Sequence, residues 1–162
     1  MDINQEVEFL RSIPMLSKLD DSKLKLLAFT SRLVEYRAGD YLFYKDDPAD
    51  DVYLIMQGEA EVMAKPDCDE ESCTEKVVLT RTSGDLIGEM AVISKQGRSA
   101  AIRARDGLKV LRIEGDMFVK LLTSNSDVAL DVMRQLSDKL AEAQETNNLL
   151  QRQLSTQVCG GP

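Results

Sequence analysis

The chain has 162 residues, 43% of them hydrophobic, a formal charge of −8 at pH 7 and no histidine. That length suits one domain with an appendage, and the acidic balance leaves no electrostatic footprint for duplex DNA or an anionic membrane surface. Without histidine there is no Ser-His-Asp triad, no Cys-His dyad and no histidine-ligated metal of the kind found in cupin-type barrels.

From the N-terminus, MDINQEVEFL has no basic region followed by an apolar core and does not read as a signal peptide. Residues 6–13 and 23–32 read as short helices, with Asp20, Asp21 and Ser22 as candidate caps for the second. The texture then changes to short aliphatic and aromatic runs at 33–36, 41–44, 52–56, 60–64, 77–81, 85–87, 99–104 and 109–114. Turn signals separate several of them: Ala38-Gly39-Asp40, Gln57-Gly58, Ser83-Gly84 and Asp106-Gly107. Many short strands with regular punctuation predict a mainly β fold with flanking helices, an eight-stranded double-sheet jelly-roll β-barrel.

The acidic stretch 66–76 reads as an extended hairpin loop. It holds Cys68 and Cys73, which with Cys159 make three cysteines and no disulfide framework. We read them as free thiols of a cytoplasmic protein; a redox or metal clip is the alternative, resting on a lone CxxxxC spacing. Beyond the strands come a short helix at 117–122 and a long one from about 127 to 154, with Ser124 and Ser126 as candidate caps. The organisation expected is a β-roll with N-terminal helices (1–126), a C-terminal lid or dimerisation helix (127–154) and a disordered tail (155–162). No run of 18 apolar residues suggests a membrane span.

The chemistry concentrates in GDLIGEMAVISKQGRSAAIRA, residues 84–104. Gly88 allows close approach of the backbone to a ligand. The segment 89–93 can form one helical turn with free N–H groups. Arg98, nine residues after Glu89 and expected to open the next strand, suits a phosphate held by paired charge-assisted hydrogen bonds. A carboxylate beside it can accept from a sugar hydroxyl, so the pair fits a ligand with one phosphate and one ribose. The same spacing equally suits a structural salt bridge across a hairpin.

The segment resembles the phosphate-binding cassette of cyclic nucleotide-binding domains. The family pattern, roughly F-G-E-hydrophobic-A-hydrophobic and then R-small-A, is matched by Ile87-Gly88-Glu89-Met90-Ala91-Val92 and Arg98-Ser99-Ala100. The likeness runs from about Phe9 to Leu140 and includes Ala38-Gly39-Asp40 and Val52-Tyr53-Leu54-Ile55-Met56-Gln57-Gly58-Glu59. Ile87 replaces the usual aromatic, and Asp46 stands where many members have glycine. The resemblance implies that Glu89 accepts from the ribose 2′-hydroxyl, that Arg98 pairs with the cyclic phosphate, and that N–H groups near Met90, Ala91, Ser99 and Ala100 line the phosphate pocket. Ser99 after the arginine favours cAMP over cGMP as the ligand; no cofactor or metal is implied.

A heptad seam runs along the terminal helix: Ala129, Met133, Leu136, Leu140, Ala143, Asn147, Leu150 and Leu154. Asn147 at an a position is a device for fixing register in a parallel dimer, and Lys139 falls at a flanking position of the repeat. The stripe resembles the dimer helix of the family's catabolite activator protein, so a homodimer through residues 129–154 is expected. Thr146, Asn147 or Asn148 would reach the base, from the same chain or its partner. The function expected is a cyclic nucleotide sensor that shifts its terminal helix and signals to an unknown effector protein, without enzymatic activity or direct DNA binding. The alternative is a dimeric scaffold that keeps the fold without using ligand.

Overall fold

The computed structural model describes residues 2–65 and 74–159, and side chains through Thr156. Two short helices, α1 (Ile3–Ser12) and α2 (Asp21–Thr30), precede the strands β1 (Arg32–Tyr36), β2 (Tyr41–Phe43), β3 (Asp51–Gln57), β4 (Ala60–Ala64), β5 (Lys76–Arg81) and β6 (Leu86–Ile87). A short helix α3 (Glu89–Ser94), strands β7 (Ala101–Ala104) and β8 (Leu108–Glu114), and helices α4 (Gly115–Ser124) and α5 (Ser126–Cys159) follow. The expected loop over 66–76 and its cysteines fall mostly outside the described residues.

The eight strands form two four-stranded antiparallel sheets, in the orders β1-β8-β3-β6 and β2-β7-β4-β5. This is the strand order of a double-sheet jelly roll. Among the described pairings no ladder joins the two sheets, so the expected barrel is not closed. Edge strands of two residues (β6) and three (β2) are too short to carry pairing around a corner.

The continuous apolar run of β3 follows from burial on both faces. Val52, Leu54 and Met56 pack with Leu111, Ile113, Phe118 and the helices, whereas Tyr53 and Ile55 face the second sheet with Ile87, Ile102 and Val110. The β3–β4 turn needs glycine. Gly58 has φ 91, and a Cβ there would lie 2.7 Å from the Gly107 carbonyl oxygen.

Of the three candidate caps for α2, Asp20 serves: its carboxylate accepts from the Lys23 N–H at 3.0 Å, and that bond holds its pKa below the ordinary value. The α4–α5 junction is a single residue, Asn125, rather than the serines beside it. Its amide donates to Leu121 O at 2.9 Å, and its carbonyl accepts from the Ala129 N–H at 3.0 Å. Helix α5 runs to Cys159, five residues past its expected end. The tail expected to be disordered from 155 is therefore helical as far as Cys159, because no breaker occurs before Gly160.

Two stripes share α5. Val128 and Val132 are buried, and Gln135, Leu136, Lys139 and Glu142 are half-buried along the same face. The seam residues Met133, Leu140, Leu150 and Leu154 lie 54–61% exposed, and every side chain from Gln144 to Thr156 is exposed. At 34 residues the helix is about 51 Å long, so its distal half projects past the roll.

Candidate functional site

Strand β6 pairs with β3 through Ile87 and Tyr53 and ends at Gly88, which adopts φ 80 and starts α3. That turn drives the Glu89 side chain inward, where it is 2% exposed. The Arg98 backbone is fixed from both sides: its N–H donates to Asp47 O at 3.0 Å, and its carbonyl accepts from the Asp46 N–H at 2.8 Å. Arg98 therefore lies in a pinned loop, and the strand expected from residue 99 begins only at Ala101. Asp46 adopts φ 69, the left-handed conformation that aspartate tolerates, which accounts for it standing where glycine is usual.

The Arg98 guanidinium is 3% exposed and forks onto two main-chain oxygens, Nη1 to Gly88 O at 2.9 Å and Nη2 to Asp51 O at 2.7 Å. It lies over the Phe43 ring at 4.1 Å. Its Nε is buried without a partner, and among the described residues the group makes no ion pair. Burial pulls its pKa below the ordinary value, while the nearby charges of Tyr53, Asp51, Asp50 and Asp47 act the other way.

Glu89 does not pair with Arg98, so the hairpin salt bridge does not form. Its Oε1 instead accepts from Lys139 Nζ of α5 at 2.5 Å, and the same Nζ donates to Leu86 O at 2.9 Å. A second contact, Arg81 Nη2 to Glu142 Oε2 at 3.0 Å, ties β5 to α5. The two contacts lay α5 across the mouth of a cavity of about 600 Å³, within the ~300–1,000 Å³ range of small-molecule pockets.

Gly88, Glu89, Met90, Ala91, Arg98, Ser99 and Ala100 all line this one cavity. Its polar end is formed by Glu89, Arg98 and Ser99, and the remainder is largely apolar, with Val62 and Leu79 of the sheet joined by Leu136, Leu140 and Ala143 of α5. Thr146, Asn147 and Asn148 are exposed and do not line it, because they lie beyond the part of α5 that crosses the mouth. The sequence reading missed Lys139, which the heptad assignment put at a position flanking the seam. The signal was the parallel stripe Val128, Val132, Gln135, Lys139 and Glu142, spaced four and three like the seam itself.

The arrangement offers a carboxylate and a guanidinium, both buried, in one wall of a cavity whose remainder is largely apolar. It suits a small anionic ligand with a hydroxyl and an apolar part. Among the described residues there is no cluster of three or more candidate metal ligands, and no helix is long and apolar enough to cross a membrane.

The family model described as the cyclic nucleotide-binding domain matches residues 33–125. The chain is 34% identical over 125 residues to the cAMP-dependent protein kinase regulatory subunit of Schizosaccharomyces pombe, covering 77% of this chain and 27% of that one. It is 37% identical over 123 residues to the cGMP-dependent protein kinase, isozyme 1, of Drosophila melanogaster, covering 74% and 16%. Among solved structures, the regulatory domain of Toxoplasma gondii PKA with cAMP has the same fold, with a TM-score of 0.69 at 24% identity over 86% of this chain and 50% of that one. The chain spans about a quarter of the length of the cAMP-dependent protein kinase regulatory subunits it matches.

Proposed function

Since the chain belongs to the cyclic nucleotide-binding domain family, we propose that it binds a cyclic nucleotide in the cavity under α5, cAMP in preference to cGMP, and signals the occupied state to a partner protein through α5. The observation that carries this reading is the Arg98 guanidinium, buried without an anionic partner beside a buried carboxylate. A desolvated cation without a counter-charge is unfavourable, and a cyclic phosphate relieves it. Glu89 takes the ribose hydroxyl, and the base lies between the sheet and α5. Ser99 and the cAMP-dependent relatives support the choice of base. The role is binding and regulation rather than catalysis.

Signalling requires that nucleotide bind the two positions of α5 with different affinity; moving the balance from 1:99 to 99:1 takes about 10⁴-fold. Hydrogen exchange with cAMP, with cGMP and without ligand tests this. cAMP is expected to slow exchange in residues 86–100 and in 128–143, and cGMP to do so only at higher concentration. No response to either nucleotide refutes the binding reading, and protection confined to 86–100 refutes the role of α5. A dimeric scaffold indifferent to ligand is the second reading, favoured by the Lys139 contact that satisfies Glu89 internally; it predicts unchanged exchange throughout.

The exposed stripe on α5 supports a homodimer. Met133, Leu140, Leu150 and Leu154, exposed on a projecting helix, gain burial from a second copy. Equilibrium sedimentation is expected to give a dimer that Asn147→Asp weakens, because the change sets two like charges in the seam. A monomer mass for both proteins rules the seam out.

A further inference from the structure

We propose that the outer face of α2, with the hollows on either side of it, is a docking groove for an acidic amphipathic helix of another protein. The groove is separate from the nucleotide cavity. Helix α2 carries apolar residues on two faces: Leu24, Leu27 and Ala28 are buried, but Leu26 and Phe29, one turn apart, are 55% and 78% exposed. Phe29 is the most exposed large hydrophobic side chain among the described residues. Leu26 is shared by two hollows. One, of about 380 Å³, lies between α1 and α2 and includes Ile3 and Phe29; the other, of about 190 Å³, lies between α2 and α4 and includes Met117 and Leu121. Together they make one surface with Leu26 as the ridge between them. Contiguous apolar surface rimmed by polar groups marks interaction sites on proteins, and two hollows flanking a ridge suit side chains set one turn apart on a helix.

The charge around the groove selects the occupant. The chain carries 28 aspartates and glutamates against 20 lysines and arginines. Yet no carboxylate lines either hollow, and three lysines do: Lys25 in the first, Lys23 and Lys120 in the second. All three are exposed, and among the described residues none pairs with a carboxylate. Lys23 donates instead to Asn125 Oδ1 at 2.7 Å. A positive patch on a negative chain attracts a partner segment of negative charge and disfavours a basic one. A second copy of this chain fits less well, because the projecting part of its α5 carries one acid, Glu145, and one base, Arg152, between residues 144 and 156. An anionic bilayer fits less well too, since the overall charge opposes it and the groove is concave. The partner that fits presents apolar side chains one turn apart, flanked by aspartates or glutamates.

The test is fluorescence anisotropy of the full chain with three labelled helical peptides. The first has leucines at i, i+4 and i+7 with glutamates on the flanks; the second has the same leucines with lysines; the third keeps the glutamates and has serines for the leucines. Only the first is expected to bind. Phe29→Ser should weaken it by about tenfold or more, as loss of an aromatic anchor does. Lys25→Glu combined with Lys120→Glu should weaken it by about tenfold and remove most of its salt dependence. These side chains are exposed, so the variants keep the fold, and Leu26→Ser repeats the apolar test at a second position. Equal binding of the glutamate and lysine peptides overturns the proposal. So does binding of none of the three, or binding that Phe29→Ser and Leu26→Ser leave unchanged. Two further results overturn it in favour of another occupant: phosphatidylserine vesicles that bind the wild type but not Phe29→Ser, and an equilibrium mass that Phe29→Ser shifts from dimer to monomer.

Discussion

Replacing Arg98 with alanine is expected to weaken cAMP binding by about 10- to 100-fold, since a hydrogen bond to a charged group is worth roughly 1.5–3 kcal/mol. The structure explains why this one side chain carries so much. The guanidinium is held flat by two carbonyls and by the Phe43 ring at 4.1 Å, so its remaining N–H capacity is oriented before any ligand arrives. Arg98→Lys is expected to rescue little, because an ammonium cannot hold Gly88 O and Asp51 O, stack on Phe43 and still present a planar donor pair. Titration calorimetry with cAMP measures both variants. The rise in Tm that saturating cAMP gives the wild type should shrink in parallel, since ligand stabilisation follows the ratio of concentration to Kd. An affinity unchanged by Arg98→Ala would remove the residue from the site.

Much of this was legible in the sequence, and the reasons differ element by element. Strand β4 was bounded correctly because its apolar run ends at a polar stretch, and β3, expected over 52–56, extends one residue further at each end around five apolar residues buried on both faces. The cassette was legible because its glycine, carboxylate and arginine keep a fixed spacing. What the spacing did not contain was the partner of each charge. A hairpin salt bridge between Glu89 and Arg98 was a fair reading of nine residues of separation. Which partners win is decided by α5, 50 residues further on, and by a main-chain carbonyl of β3. Lys139 reads as a flank of the seam because the heptad seam and the inward stripe share one period and differ by a single residue in phase. Periodicity fixes that a helix has a buried face; when two faces carry apolar residues, only the packing decides which one turns inward. Barrel closure was likewise undetermined, since strand lengths at the sheet edges are set by tertiary pairing.

Gly88→Ala is expected to reproduce most of the binding defect of Arg98→Ala without removing a charged group. The sequence suggested that this glycine lets a ligand approach. In the structure the close neighbour is Arg98 itself: a Cβ at Gly88 would collide with Nη1 and lie 3.2 Å from Cζ and 3.5 Å from Phe43 Cε1. The guanidinium can swing aside only by giving up Gly88 O and Asp51 O, the two bonds that orient it. The affinity for cAMP should therefore fall by about tenfold or more. The φ of 80 adds a backbone penalty of about 1–2 kcal/mol, which lowers Tm by several degrees. Gly39→Ala separates the two effects. Gly39 has φ 91 with nothing within 4 Å of its Cβ position, so that variant bears the backbone penalty without the collision. It should lose similar stability and keep its affinity, and equal affinities in the two variants would show that Gly88 does not set the fork. The cassette glycine would then owe its place to the turn alone; if instead the affinities part, its missing side chain is as much a part of the anion site as the arginine it makes room for.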